Sequence, residues 1–167
     1  MQGLIDFTAQ YLFLCILAAE GAYVLLRHRV RFGEFAVAAL FIGGLSFLIS
    51  LICNRYIQDP RPFVVGGFSP AIKSSRDNGF PSDHTLLLAA SAAVMMLGGT
   101  LAGILAFIGA LVVGAARVAA GVHHALDIAG SVLIVSAASG VYYLLRRKWP
   151  RTACLKKLPN PLTKERT

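Results

Sequence analysis

TLLLAASAAVMMLGGTLAGILAFIGALVVGAA, residues Thr85–Ala116, runs for thirty-two positions without one charge. As a single helix it would be about 48 Å long, too long for a bilayer core of about 30 Å without severe tilt. The run breaks naturally at Gly98-Gly99-Thr100. Two crossings are therefore expected, at about 82–98 and 100–120, joined by a tight turn. The split decides the fold. A hairpin returns the polar segments on either side of the run to one membrane face, whereas one long helix would separate them.

Leu4–Leu26, interrupted only by Asp6 and Glu20, is expected to form a first span about 35 Å long. A second is expected at about 33–56 and a last at about 127–145. Residues 57–83 contain Pro60, Pro62, Pro70 and Pro81 and are too broken for a spanning helix. The composition agrees: 56% of residues are hydrophobic and 14% charged, against about 25% charged in soluble domains. Mean hydropathy is +0.67. The expected architecture is all-α, a single-domain polytopic membrane bundle over 1–167 with about five crossings. The formal charge of +8 would suggest nucleic acid in a soluble protein. Here much of it sits in RHRVR (27–31) and RRKWPR (146–151), which flank apolar runs and read as cytoplasmic anchors. No nucleic-acid partner is expected. With five crossings the basic tail 146–167 lies in the cytoplasm, and the loop 57–83 and turn 117–126 both face outside.

Cys15, Cys53 and Cys154 are far apart and are read as unpaired; Cys154, just past the last span, is a candidate for palmitoylation. The start, MQGLIDFTAQ, has no basic n-region and no small-residue cleavage site, so the first apolar run is expected to be retained. Glu20 is read as snorkelling or bonding to a neighbouring helix, and His28 as a loop residue.

Three polar clusters share the expected outer face: NRYIQDPRPF (54–63), FPSDH (80–84) and ARVAAGVHHALD (116–127). Span-end anchors need no fixed spacing, and histidine is not a typical one. Arg61 and Arg117 at the mouth of a bundle read as an anion site, because the guanidinium fork binds phosphate bidentately. Ser82 stands where an N-cap would open the third span, aiming free N–H groups at an anion. His123 and Asp127 are four apart, so a carboxylate can hold the imidazole tautomer. A neutral His123 can attack phosphorus, and His84 can serve as general acid for the leaving oxygen. Gly121 breaks the helix between Arg117 and His123; without it the two would point about 120° apart. Asp59, Asp77, Asp83 and Asp127 are scattered in sequence, so no magnesium site is expected, and the arginines would repel zinc from the histidines. Neither metal nor cofactor is expected.

These residues resemble the type 2 phosphatidic acid phosphatase superfamily, whose blocks are Lys-x6-Arg-Pro, Pro-Ser-Gly-His and Ser-Arg-x5-His-x3-Asp. Here they read Asn54-x6-Arg61-Pro62, Pro81-Ser82-Asp83-His84 and Ala116-Arg117-x5-His123-x3-Asp127. The resemblance spans roughly residues 34–145. It implies His123 as nucleophile, Asp127 as its orienter and His84 as proton donor. It implies Arg61, Arg117 and Ser82 on the phosphoryl oxygens, with no metal. Asn54 replaces the family Lys, Asp83 the Gly and Ala116 the Ser. Arg55, beside Asn54, is a candidate to restore the charge, although a neighbouring helical residue faces about 100° away. His124 falls just off the pattern, at the rim. Lys73 and Arg76 are open between two readings: a grip on a second phosphate, or a solvated face.

PSDH with PRPF is similar to the bacterial undecaprenyl pyrophosphate phosphatase branch. The resemblance therefore implies a metal-independent hydrolase of the bacterial cytoplasmic membrane, its site facing outward. It would release the terminal phosphate of undecaprenyl diphosphate, an isoprenoid lipid, in recycling of the cell-wall carrier. The same chemistry on phosphatidylglycerophosphate, phosphatidic acid or lipid A is the alternative. A non-catalytic lipid-binding or assembly protein is the further one.

Overall fold

A computed structural model describes residues 2–148; the end of the basic tail and Cys154 lie outside the described residues. The elements are α1 (Gln2–Gln10), α2 (Leu12–Arg27), a 3-10 turn (Arg29–Arg31), α3 (Phe32–Tyr56), α4 (Pro62–Val65), α5 (Asp83–Met95), α6 (Thr100–Ala119) and α7 (Ala125–Lys148). The described residues form no strand; a single bridge pairs Pro60 with Asn78.

The uncharged run folds as a hairpin. α5 stops at Met95, and Gly99, at φ +139°, turns the chain into α6. That φ is open to glycine and strained for other residues. α5 is the central helix, packed against α2, α3, α6 and α7. Its buried face includes Ala89, Ala90 and Ala92. Small residues let helix backbones approach closely where lipid offers no hydrophobic drive for association. Outward-facing side chains are large and apolar: Leu40 is 80% exposed, Leu133 69% and Leu101 69%. So much exposed leucine is an aggregation hazard in water and an ordinary surface in lipid.

Three helices are long and apolar enough to cross a membrane, and a fourth if α1 and α2 count as one bent span. α5, at 13 residues, is only about 20 Å long, short of a bilayer core of about 30 Å. The expected straight first span is instead two helices bent by 50° at Tyr11. Leu14 N–H bonds the Tyr11 carbonyl, so the regular ladder is interrupted there. This leaves the Ala9 carbonyl to take a hydrogen bond from Arg117 of α6. Glu20 lines an apolar groove between α2, α3 and α5 together with Ser91.

The two ends of the bundle differ chemically. At one, Arg31 and Arg146 both pair with Glu34 at 3.1 Å, tying the start of α3 to the end of α7. Nearby, Tyr23 donates to Gly98 O and stacks against His28, which also packs on Phe35. His28 lies in the link between α2 and the 3-10 turn, as expected, and joins Tyr23 and Phe35 in an aromatic cluster beside the α5–α6 turn. The other end gathers the loop 57–82, the start of α5 and the α6–α7 turn.

Candidate active site

The α6–α7 turn makes the site. Gly121 takes φ +74°, the left-handed conformation that ends a helix cheaply in glycine. Val122 N–H returns to the Arg117 carbonyl. The turn brings Arg117 Nη2 to 3.3 Å from His123 Nε2, the convergence that an unbroken helix would forbid. α7 then begins, and the Asp127 carboxylate reaches back to accept the His124 backbone N–H at 2.9 Å. This is the acid half of a capping box. The same oxygen, Oδ2, lies 3.2 Å from His123 Nδ1.

The His123 tautomer follows from its partners. Nδ1 is 3.0 Å from the Gly79 carbonyl, which can only accept. Nδ1 therefore carries the hydrogen, shared between Gly79 O and Asp127 Oδ2. Nε2 is left with its lone pair, facing Arg117 Nη2 at 3.3 Å and Arg61 Nη1 at 3.4 Å. His123 is 3% exposed and Asp127 is fully buried. A cavity of about 570 Å³ opens beside His123 and His124, walled by Pro62, Phe68 and the α6–α7 turn.

The long loop is shaped largely by Asn78, whose Oδ1 accepts from Asp59 N–H while its Nδ2 donates to Ile57 O and Asn54 O. Gly79 N–H bonds Asp59 O at 2.8 Å. No side chain fits easily at Gly79: a Cβ would lie 3.1 Å from Asp59 O and 3.2 Å from Asp127 Oδ2. The peptide Phe80–Pro81 is cis.

Arg61 is buried, with Nη1 donating to Val122 O at 3.1 Å and Nε and Nη2 on Asp77 Oδ1 at 3.0 and 2.9 Å. The Ser75 hydroxyl and the Arg61 guanidinium hold Asp77 below its ordinary value. Arg117 gives Nη1 to Ala9 O, and its buried Nε has no partner. Ser82 occupies the N-cap position of α5, but its hydroxyl makes no cap bond and accepts from Thr85 Oγ1 at 3.3 Å. Ser131 of α7 lies 3.0 Å from the Ser82 carbonyl and fixes that entry. The first bond of α5 is Leu86 N–H to Ser82 O, so the N–H groups of residues 83–85 make no bond within the helix. His84 is half-buried, its ring set edge-on against Phe13 of α2 at 4.4 Å.

None of the remaining expected residues is hydrogen-bonded to His123, Arg61 or Arg117. Asn54 donates to Phe80 O at 2.9 Å and so braces the loop. Arg55, Asp83, Lys73 and Arg76 are exposed, and none is hydrogen-bonded within the cluster. Sequence reading missed Gly79, Asn78, Asp77 and Asp59. The carboxylates are not all scattered in space: Asp59, His124 and Asp127 bring one ligand atom each within 4.8 Å of one another. His124 Nδ1 lies 3.2 Å from Asp59 Oδ2. Burial and the neighbouring Asp127 push the Asp59 carboxyl up from its ordinary value.

This constellation defines a helical membrane protein with a buried, carboxylate-oriented histidine between two arginines. The PAP2 superfamily model matches residues 35–151, more than half the chain, and the chain belongs to that superfamily. It is 32% identical over 96 residues to the undecaprenyl-diphosphatase BcrC of Bacillus subtilis (strain 168), an alignment covering 55% of this chain and 50% of that relative. The match thus spans about half the length of the curated relative. The crystal structure of a transmembrane PAP2-type phosphatidylglycerolphosphate phosphatase from Bacillus subtilis superposes with a TM-score of 0.63 at 21% identity. It covers 90% of this chain and 76% of that one. The likeness establishes the fold.

Proposed function

We propose that this protein is a lipid phosphatase that hydrolyses the terminal phosphate of an isoprenoid diphosphate, undecaprenyl diphosphate, through a phosphohistidine. The observation that carries the reading is Nε2 of His123 held between the guanidinium groups of Arg61 and Arg117. The chemistry balances as follows. Nε2 attacks the terminal phosphorus, an N–P bond forms and the P–O anhydride bond breaks. His84 gives its proton to the leaving lipid monophosphate. Water, deprotonated by His84, then attacks the phosphohistidine; inorganic phosphate leaves and His123 is regenerated. The Asp127 carboxylate stabilises the positive charge that His123 gains as the N–P bond forms. Arg61, Arg117 with its free Nε, Ser82 and the α5 N–H groups hold the phosphoryl oxygens. Two arginines supply the charge that a metal would otherwise bring.

The similarity to BcrC supports the isoprenyl substrate. The site is assigned to the extracytoplasmic face, because RHRVR at the opposite end of the bundle fits the cytoplasmic side. The test is phosphate release by detergent-purified protein in EDTA, from undecaprenyl diphosphate and from phosphatidylglycerophosphate, with His123→Ala beside it. Release from the isoprenyl diphosphate, abolished in the variant, is expected. Release from the glycerolipid alone would keep the mechanism and change the substrate. Release unaffected by the substitution would overturn the site.

A further inference from the structure

Asp59, His124 and Asp127 are not needed as a trio by the phosphoryl-transfer scheme, which uses Asp127 alone. They nevertheless converge from the loop and the start of α7, with donor atoms within 4.8 Å of one another. Asp127 is fully buried, its Oδ1 accepts from no donor, and the Asp59 carboxyl stands beside the Asp127 carboxylate. A buried carboxylate oxygen without a donor is costly unless something fills the place. His124 and Asp59 are 41% and 28% exposed, so the trio is reachable from water on one side and closed by Asp127 on the other.

We propose that Asp59, His124 and Asp127 form an inhibitory site for a borderline divalent cation of the zinc type. One imidazole and two carboxylates, with a fourth place open to water, are a donor set that zinc accepts. Magnesium and calcium favour all-oxygen sites with more ligands. Tetrahedral bonds of about 2.0–2.2 Å need donors about 3.3–3.6 Å apart, so the trio has to close by at most about 1.5 Å. The arginines are less of an obstacle than sequence suggests. They contact Nε2 of His123, while Asp127 contacts Nδ1, so the imidazole and the carboxylate stand between them and the ion. A cation on Asp127 draws charge from the group that orients His123, which makes Nε2 a poorer nucleophile. The enzyme thus works without metal and is stopped by it.

Binding does not depend on the proposed reaction; inhibition rests on it. Untagged full-length protein is titrated with Co2+, read by its visible d–d absorption, and then with Zn2+ to displace it. One Co2+ per chain, displaced by Zn2+, is expected, with the band lost in His124→Ala and in Asp59→Asn. Phosphate release should fall at least tenfold at saturating Zn2+ and return on adding EDTA. No stoichiometric band, or a band kept by both variants, overturns the site even if the protein proves inactive on the lipids tried. Equal inhibition of wild type and His124→Ala overturns the inhibitory role, because zinc would then be acting on the diphosphate substrate.

Discussion

Asp127→Asn is the sharpest probe of how His123 is held. In nucleophile–base–carboxylate triads this change can invert the imidazole tautomer and cost roughly 10^4-fold. Here the inversion is opposed. Asp127 Oδ2 accepts both His123 Nδ1–H and the His124 backbone N–H, and the Gly79 carbonyl also requires the hydrogen on Nδ1. An Asn placed with its oxygen at the Oδ2 position keeps both bonds and puts its amide nitrogen at the Oδ1 position. The reverse placement sets donor against donor at His124 and frees the Gly79 carbonyl. Each such buried group costs about 1–3 kcal/mol, or about 2–6 kcal/mol against the reverse placement. The tautomer should survive, and only the charge on the acceptor is lost. The difference between a charged and a neutral hydrogen bond is about 1–2 kcal/mol, which corresponds to roughly 5- to 30-fold. The assay is kcat/KM for phosphate release in EDTA, wild type beside Asp127→Asn. A loss beyond about 10^3-fold would refute the Gly79 account.

Gly79→Ala places a Cβ at 3.2 Å from Asp127 Oδ2 and 3.1 Å from Asp59 O; displacing the carboxylate by a few tenths of an ångström should lower kcat/KM about tenfold, and the crowding at Asp59 should also lower Tm by thermal scanning; an unchanged kcat/KM would reject the contact. Asn54→Lys, which restores the superfamily residue, should lower kcat/KM about fivefold rather than raise it, because the Phe80 O bond is lost; a gain in activity would reject the bracing role. The Asp77–Arg61 tie is favoured by ionised Asp77, whose folded pKa is lowered. Its stabilisation is therefore full above the ordinary Asp value of about 3.9 and is lost as pH falls through the lower folded value. The difference in Tm between wild type and Asp77→Asn should be flat from pH 5 to 8 and shrink only in stronger acid. Orthovanadate should inhibit in chelator-free buffer, and Arg117→Ala should weaken that inhibition about 10- to 150-fold, the loss of one charged hydrogen bond.

The hairpin was legible because glycine pairs and uncharged runs are local signals, and the length of a bilayer core turns them into topology. The convergence of Arg117 with His123 was legible for the same reason, since Gly121 marks the turn. The bend at Tyr11 carried no Pro or Gly within the break; it is stabilised by Arg117 Nη1 on Ala9 O, a contact 108 residues away. Asp59 looked isolated because its distance to Asp127 depends on a loop organised by Asn78. Gly79 was invisible as a site residue since its contribution is a carbonyl, and every residue carries one.

The resting site also explains why two arginines can share one small space with a neutral histidine. Their charges repel, and each is separately anchored: Arg61 by Asp77 and Val122 O, Arg117 by Ala9 O. Only one N–H of each turns to Nε2, at 3.3–3.4 Å, a long hydrogen bond to a weak acceptor. In the proposed mechanism an incoming phosphoryl group offers anionic oxygens in place of that neutral nitrogen, so each guanidinium gains an ion pair with fork geometry where it had a single ion–neutral bond. On that mechanism the exchange would release the Nε2 lone pair as the arginines close on phosphate. Nucleophile exposure and substrate binding would then be one event, and an apolar lipid without a phosphate would leave the histidine covered.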